Sequence, residues 1–187
     1  MAAPPFREGC AWYVGSPGSG KTFLANEHLR QLVAADGYPA LVVDSVGDPA
    51  FNHVPEVPTV EALIETVWGR RQHARYTPRE DLAGEMDQIA RACLEGHCVH
   101  LLIDESAFYL DSRRGGGGAL LRLLRSYRHA DVTIQCTTQH FSGDVSAAAL
   151  ACSPRLFVFR TITPSALESL ERNFALPAEK VRALPPD

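Results

Sequence analysis

Short apolar runs alternate along the chain with segments whose apolar residues recur at helical spacing. Runs of this length, without a polar residue at every second position, are typical of strands buried on both faces. The five runs are 11–14, Tyr38–Asp44, Val99–Glu105, Asp131–Thr137 and Arg155–Arg160. Strands that alternate with helices predict an α/β fold, with a mostly parallel central sheet and helices on both faces.

Helical spacing marks five further segments, which begin near Lys21, after Thr59, after Thr77, at Ala119 and after Thr163. The third start is predicted in detail. Thr77 is the expected N-cap, Pro78 takes the first helical position, and Glu80 completes a capping box. This helix should end at Gly96. The basic segment before it, Gly69–Arg75, is predicted to be a solvated connection between helices.

The fourth helix, "ALLRLLRSYRH", separates apolar from basic positions. Its spacing predicts one face directed inward and an outer face that carries three arginines. The predicted inward residues are Leu120, Leu121, Leu124 and Tyr127, and the outer ones are Arg122, Arg125 and Arg128.

The composition indicates a soluble intracellular protein with one domain, 1–187. The net charge of −4 argues against a freestanding nucleic-acid binder, although a local basic loop such as Arg113–Arg114 beside four glycines could still contact DNA. No stretch approaches the roughly 20 apolar residues that a membrane-spanning helix needs, so no transmembrane segment is expected.

The stretch "GSPGSGKT" matches the phosphate-binding loop G-x-x-x-x-G-K-[ST], or Walker A motif, between a predicted strand and a predicted helix. Glycines let backbone N–H groups converge on phosphates, and the helix N-terminus adds its positive dipole. Lys21 can reach the β- and γ-phosphates, and the Thr22 hydroxyl can ligand Mg²⁺. The predicted ATP-binding residues are Gly15, Ser16, Pro17, Gly18, Ser19, Gly20, Lys21, Thr22 and Phe23.

Two strands end in polar residues that could complete a hydrolytic site. Asp104 and Glu105 follow the third apolar run, where ligands bind in open α/β sheets. Asp104 is predicted to hold Mg²⁺ and Glu105 to polarise the attacking water. Gln139, at the end of the fourth strand, could touch both this water and the γ-phosphate. Asp44, at the end of the second strand, could orient a metal ligand or cap its own loop.

These features describe the RecA-like ATPases, in which a strand with a polar residue at its tip lies between the cradle strand and the magnesium strand. A longer series of stretches resembles the FtsK–HerA superfamily of DNA-pumping P-loop ATPases: "GSPGSGKT", "LVVDSVGD", "LLIDES", "LLRSYRHADVTIQCTTQ" and "SPRLFVFRTITPSALESL". Their order and spacing match from about residue 11 to residue 176. Within that superfamily the chain resembles the small genome-packaging ATPases of membrane-containing icosahedral viruses.

The resemblance implies an enzyme that hydrolyses ATP to move double-stranded DNA into a viral capsid. It also implies a homo-oligomeric ring, a hexamer, with ATP at subunit interfaces and an arginine that reaches the neighbour's γ-phosphate. Arg128 is the first candidate for this arginine, and Arg125, Arg155 and Arg160 are alternatives. A capsid vertex or portal protein is the implied partner, and the host cytoplasm or the virion is the implied location.

Two other readings remain open at the level of sequence. "GSPGSGKTFLA" alone would fit a nucleotide or small-molecule kinase, although Glu105 and Gln139 favour hydrolysis. The stretch "RHADVTIQCTTQ" also resembles the Zot-like assembly ATPases of filamentous phages, which move protein and usually carry a transmembrane segment.

Overall fold

Six parallel strands form one sheet in the computed structural model, which describes residues 9–110, 118–152, 155–161 and 163–185. The strands are β1 (Cys10–Val14), β2 (Ala40–Val43), β3 (Ala74–Tyr76), β4 (Val99–Ile103), β5 (Val132–Thr138) and β6 (Arg155–Val158). Their order across the sheet is β3-β2-β4-β5-β1-β6. Every described strand pair is parallel, so the predicted α/β class is confirmed.

Helices follow or connect these strands and cover both faces of the sheet. They are α1 (Lys21–Asp36), α2 (Val60–Ile64), α3 (Leu82–Gly96), α4 (Ala107–Leu110), α5 (Gly118–Ser126), α6 (Asp144–Ala151), α7 (Pro164–Phe174) and α8 (Ala178–Arg182). A π-helical turn, Glu65–Gly69, continues α2, and a 3₁₀ turn, Tyr127–His129, continues α5. Thr59 and Thr163 occupy the N-cap positions of α2 and α7, as predicted.

Strand β1 shows how the chain fills two hydrophobic layers at once. Its residues are all buried, because successive side chains point to opposite faces of a strand. Trp12 and Val14 join the larger core cluster with residues of α2, α3, α5 and α7. Ala11 and Tyr13 join the smaller cluster with Leu29 of α1. Burial on both faces therefore explains the continuous apolar runs in the sequence.

Two predictions around residue 75 are wrong. The expected connection includes a short strand, β3, in which Arg75 pairs with Val42 of β2 on one side and bonds the backbone of Pro55 and Val57 on the other. Helix α3 begins at Leu82, and its N-cap is Asp81, whose carboxylate accepts the N–H of Gly84 at 3.0 Å. Thr77 follows β3 directly, and the helix begins only after Asp81 supplies the capping carboxylate. The predicted end of α3 at Gly96 is confirmed.

The inward face of α5 differs from the prediction at one of its four residues. Leu120, Leu124 and Tyr127 are buried as expected, but Leu123 takes the fourth place and Leu121 is only half-buried. At 3.6 residues per turn, position 123 lies on the face of 120, 124 and 127, whereas 121 is turned about 100° away. The three predicted outward arginines, 122, 125 and 128, are exposed.

Candidate functional site

The turn after β1 needs glycine at three places. A Cβ atom on Gly15 would lie 2.6 Å from Cβ of Phe159 and 2.7 Å from Oγ of Ser19, so the close approach of the residue that follows β6 excludes a side chain. Gly18 and Gly20 have φ angles of 74° and 80°, in the left-handed region that glycine adopts without strain. The sequence pattern G-x-x-x-x-G-K-T therefore forms the compact loop that was predicted.

Helix α1 begins directly after this loop with a buried lysine. Gly20 is its N-cap, and no side chain in the described part of the protein caps it, which leaves first-turn N–H groups for an anion. The Lys21 ammonium donates to the carbonyl oxygen of Ser16 at 2.9 Å. Burial lowers the pKa of Lys21, while Glu105, Asp104 and Asp48 act in the opposite direction. The nearby carboxylates therefore offset only part of the cost of burying the Lys21 ammonium in the loop.

Asp104 follows β4 at the carboxyl edge of the sheet and faces this cradle. Its Oδ1 lies 3.4 Å from the Thr22 hydroxyl, which donates to it. The Asp104 carboxylate is almost fully buried, and burial raises its pKa to about 6. A hydrogen bond from Thr137 opposes that rise, whereas the nearby carboxylates of Glu105, Asp44 and Asp48 add to it. The surroundings of Asp104 therefore do not offset the cost of burying its negative charge.

The donor set around Asp104 fits Mg²⁺. Mg²⁺ prefers oxygen ligands and is usually bound through one or two carboxylates together with substrate phosphates. A carboxylate and a hydroxyl, Asp104 and Thr22, meet here beside the phosphate loop. The Ser19 hydroxyl in that loop is also buried and has no hydrogen-bond partner among the described residues. The predicted metal ligands thus lie together beside the phosphate loop.

Glu105 extends from a strained point of the chain. Its φ angle of 47° lies in the left-handed region, which costs a non-glycine residue about 1–2 kcal/mol. Its Oε2 atom accepts the main-chain N–H of Gln139 at 3.1 Å, and its own N–H donates to the Thr137 hydroxyl at 3.0 Å. Local strain of this kind is often found at functional sites, where the surroundings hold the residue in place.

Strand β5 brings the remaining site residues to the same edge. It lies between β4 and β1, so the predicted inserted strand is confirmed. Gln139 follows it directly and is half-buried, with its N–H bonded to Glu105. Thr137 contacts both predicted carboxylate residues, a role that the sequence reasoning did not assign. The threonine pair before Gln139 was the available signal, but only the pairing of β4 with β5 makes it specific.

The candidate arginine Arg128 lies at the other edge of the sheet. It precedes β5, whose seven residues span about 20 Å before the carboxyl edge is reached. Its Nε atom donates to the hydroxyl of Tyr127 at 3.0 Å. Arg128 is therefore remote from the phosphate loop of its own chain. The candidate Arg160 lies beside that loop instead, since its carbonyl oxygen accepts the N–H of Ser16. Arg113 and Arg114 lie outside the described residues.

A cleft of about 480 Å³ opens on the β6 side of the phosphate loop. Phe23 and the loop glycines form one wall, and Phe159 with Leu184 and Pro185 forms another. The Phe23 side chain is 73% exposed, although it is a large aromatic group at the start of a helix. An apolar cleft with aromatic walls next to a phosphate site has the chemistry of a nucleobase pocket.

Asp44 caps its own loop. Its Oδ1 accepts the N–H groups of Gly47 and Asp48 at 2.8 and 3.0 Å, and its Oδ2 lies 3.5 Å from the Arg75 guanidinium. The Ser45 hydroxyl then donates to the carbonyl oxygen of Asp104 and also contacts the Tyr109 hydroxyl at 2.8 Å. Loop capping, one of the two sequence-based readings of Asp44, is confirmed, and this loop supports β4 where it ends.

Solved structures of viral packaging enzymes share this fold. The chain is similar to the genome packaging NTPase B204 from Sulfolobus turreted icosahedral virus 2 in complex with AMPPCP, with 16% identity, a TM-score of 0.78, and coverage of 96% of this chain and 89% of that one. It is similar to B204, the DNA-packaging ATPase from Sulfolobus Turreted Icosahedral Virus, with 18% identity, a TM-score of 0.72, and coverage of 95% and 88%.

A helicase domain shares part of the same architecture. The Pyrococcus furiosus Hef helicase domain matches with 14% identity, a TM-score of 0.56, and coverage of 86% of this chain and 36% of that one. No protein-family model and no curated protein sequence matches the chain. At these identities the likeness concerns the fold, and it confirms at that level the RecA-like P-loop resemblance drawn from the sequence.

Within the described ranges, no helix combines the length and the apolar character that a membrane crossing requires.

Proposed function

We propose that this protein is a Mg²⁺-dependent ATPase of the FtsK–HerA superfamily that translocates double-stranded DNA and packages a viral genome into its capsid. The observation that carries the proposal is the convergence of Thr22, Asp104, Glu105 and Gln139 at the carboxyl edge of a RecA-like sheet. The fold shared with two viral packaging enzymes supports the cargo and the process.

The chain offers a role in hydrolysis to each group. The Lys21 ammonium, now bonded to the carbonyl of Ser16, turns to the β- and γ-phosphates when ATP binds. The Glu105 carboxylate leaves the N–H of Gln139 and accepts the proton of the attacking water. Thr22 and Asp104 would hold Mg²⁺, which would supply positive charge to the phosphate oxygens.

The half-buried side chain of Gln139, which follows β5 next to Glu105, orients that water and senses the γ-phosphate. Phe23 and Phe159 line the place of the adenine, which completes ATP binding at the phosphate loop. A carboxylate next to the magnesium ligand supports water as the acceptor, and hence hydrolysis rather than transfer to a small molecule.

Assembly into a hexameric ring would complete the site. Arg128 lies at the edge of the sheet opposite its own phosphate loop, so it can serve catalysis only in a neighbouring subunit. Such an arginine stabilises charge that develops on the transferring phosphoryl group. DNA in the ring would be contacted by basic loops, and a capsid vertex or portal protein would dock the ring in the host cytoplasm or on the virion.

The test is ATP turnover with and without linear double-stranded DNA, over a range of protein concentrations. Turnover should rise with both, because the sites lie between subunits and DNA engages the ring. Glu105→Gln should lower turnover at least about 10²–10⁴-fold and leave ATP binding intact, since the amide cannot accept the proton. Glu95→Gln, a change at an exposed glutamate at the end of α3, is the matched control and should have no effect.

Turnover that ignores DNA and protein concentration would contradict the translocase. An arm with small phosphoryl acceptors identifies the kinase alternative, because product would then appear on the acceptor. An arm with a protein cargo in place of DNA identifies an assembly ATPase.

A further inference from the structure

Thr137, near the end of β5, contacts both acidic residues that follow β4, Asp104 and Glu105. The Thr137 hydroxyl lies 2.7 Å from Oδ1 of Asp104 and 3.0 Å from the N–H of Glu105. Thr137 is completely buried, so water does not compete for these bonds. One side chain therefore touches the side chain of one residue and the backbone of the next.

The direction of these bonds is fixed by the chemistry of a hydroxyl group. A threonine hydroxyl has one proton to donate and lone pairs that accept. The N–H of Glu105 can only donate, so the hydroxyl accepts from it and gives its single proton to the Asp104 carboxylate. No freedom of rotation is left to the hydroxyl, and the carboxylate is oriented by a bond to a charged acceptor, which is stronger than a neutral one.

Further bonds from the same strand end hold the backbone beyond Asp104. The N–H and the hydroxyl of Ser106 both donate to the carbonyl oxygen of Thr137, at 2.9 and 3.0 Å. Glu105 lies between these fixed points with its left-handed φ of 47°. A strained residue keeps such a conformation only where its surroundings impose it, and Thr137 provides these contacts on both sides of Glu105.

We propose that Thr137 is a positioning residue for the hydrolytic site. Its hydroxyl aims the Asp104 carboxylate at Thr22, and it fixes the backbone from which Glu105 extends. The inference rests on the proposed function, because Asp104 and Glu105 must serve ATP and Mg²⁺. Thr137 acts through these two residues, as outer groups do around metal ligands.

The test compares three variants in purified full-length protein. Thr137→Val keeps the shape of the side chain and removes the hydroxyl, and Thr137→Ala repeats the test should valine disturb packing. Thr137→Ser restores the hydroxyl. Thr133→Val is the matched control, since it makes the same change in the same strand at a buried threonine near the opposite edge.

Two measurements separate positioning from folding. The first is the affinity for ATPγS with Mg²⁺ and with EDTA, and the second is kcat and KM for ATP. Thr137→Val should weaken Mg²⁺-supported ATPγS binding and kcat about 10–100-fold each, because misdirected metal ligands cost this much. Binding in EDTA should stay within about twofold of the wild type. Thr137→Ser should recover most of both losses, and Thr133→Val should resemble the wild type.

Several results would overturn the role of Thr137. These are a Thr137→Val protein with wild-type Mg²⁺ dependence and kcat, a Thr137→Ser protein as impaired as the valine variant, and an equal loss in Thr133→Val. Failure of the proposed function looks different, because the wild type then shows no turnover that depends on Glu105. The Mg²⁺ dependence of ATPγS binding still decides on Thr137 in that case, and its absence in the wild type would refute the positioning role.

Discussion

The carboxyl and amino edges of the sheet differ in how far their polar groups are compensated by neighbouring groups. At the carboxyl edge a lysine and two acidic residues are buried, and burial shifts the pKa values of Lys21 and Asp104 toward their neutral forms. Glu105 adds a left-handed backbone to this arrangement. The acidic groups act electrostatically on Lys21, but they do not fully offset the cost of its burial.

The amino edge is built from complementary pairs. His100 Nε2 lies 2.9 Å from the Asp36 carboxylate, and the Tyr38 hydroxyl donates to Asp131 at 2.9 Å. The indole N–H of Trp68 donates to the carbonyl oxygen of His97, also at 2.9 Å. These three donors have acceptors within the protein, as polar groups in a stable structure normally do, although the buried Nδ1 atom of His100 has no hydrogen-bond partner among the described residues.

This difference between the two edges indicates that the carboxyl edge is the part of the sheet suited to bind a charged ligand. Buried charges without full compensation reduce the stability of the free protein, and a ligand with the missing charges would restore it. The amino edge has no such need and serves the fold. Substitutions at the two edges should therefore have different consequences, and three of them test this division.

The largest effect should come from an amino-edge residue that breaks the division. Arg128→Ala should reduce ATP turnover about 10²–10³-fold if it serves the neighbouring subunit, because arginines in this role contribute at least that much. Arg122→Ala, at an exposed arginine of α5, is the control and should retain turnover.

Mixing two inactive variants tests whether Arg128 acts in a neighbouring subunit. An Arg128→Ala protein mixed with Lys21→Ala should regain part of the turnover, since some interfaces then combine an intact loop with an intact arginine. No recovery in mixtures, or full activity of Arg128→Ala alone, would leave the amino edge purely structural.

A medium effect is expected on stability at the carboxyl edge. Asp104→Asn should stabilise the protein in EDTA at pH 7.5 by about 1–3 kcal/mol, because an amide avoids the cost of a buried charge. The upper figure follows from a pKa raised from 3.8 to about 6. Since the folded state binds the proton more tightly, wild-type stability falls as the pH rises from about 4 through 6.

The pH dependence gives a second check on Asp104→Asn. In urea unfolding, the difference in the free energy of unfolding between Asp104→Asn and the wild type should fall to about half of its pH 7.5 value at pH 5. At that pH most of the folded wild type is protonated at Asp104. Asp44→Asn, at the end of the neighbouring strand, should destabilise the protein instead, because this carboxylate accepts backbone N–H groups and faces Arg75. A destabilised Asp104→Asn would show that the carboxylate is adequately compensated.

The smallest effect should come from Tyr38→Phe at the amino edge. It removes the hydrogen bond to Asp131 and should lower the free energy of unfolding only slightly, because water competes for this exposed bond. ATP turnover should stay within about twofold of the wild type, because the pair lies at the edge remote from the phosphate loop. A loss of turnover without a loss of stability would connect the amino edge to catalysis.

The sequence by itself determined the features that depend on neighbouring residues. Glycines at positions 15, 18 and 20 define the phosphate loop because its backbone needs them locally. The apolar runs defined five of the six strands, since a buried strand must be apolar on both faces. The sequence did not predict β3, because this strand has only three residues and an arginine at its centre. Asp44 and Glu56, from elsewhere in the chain, form ion pairs with that arginine.

Tertiary structure alone decided how the site is held. The pairing of β4 with β5 places Thr137 against Asp104 and Glu105, more than thirty residues away in the chain. The return of the C-terminal segment makes Leu184 and Pro185 a wall of the cleft beside Phe23. These relations depend on register and packing between distant segments, which no local pattern of residues specifies.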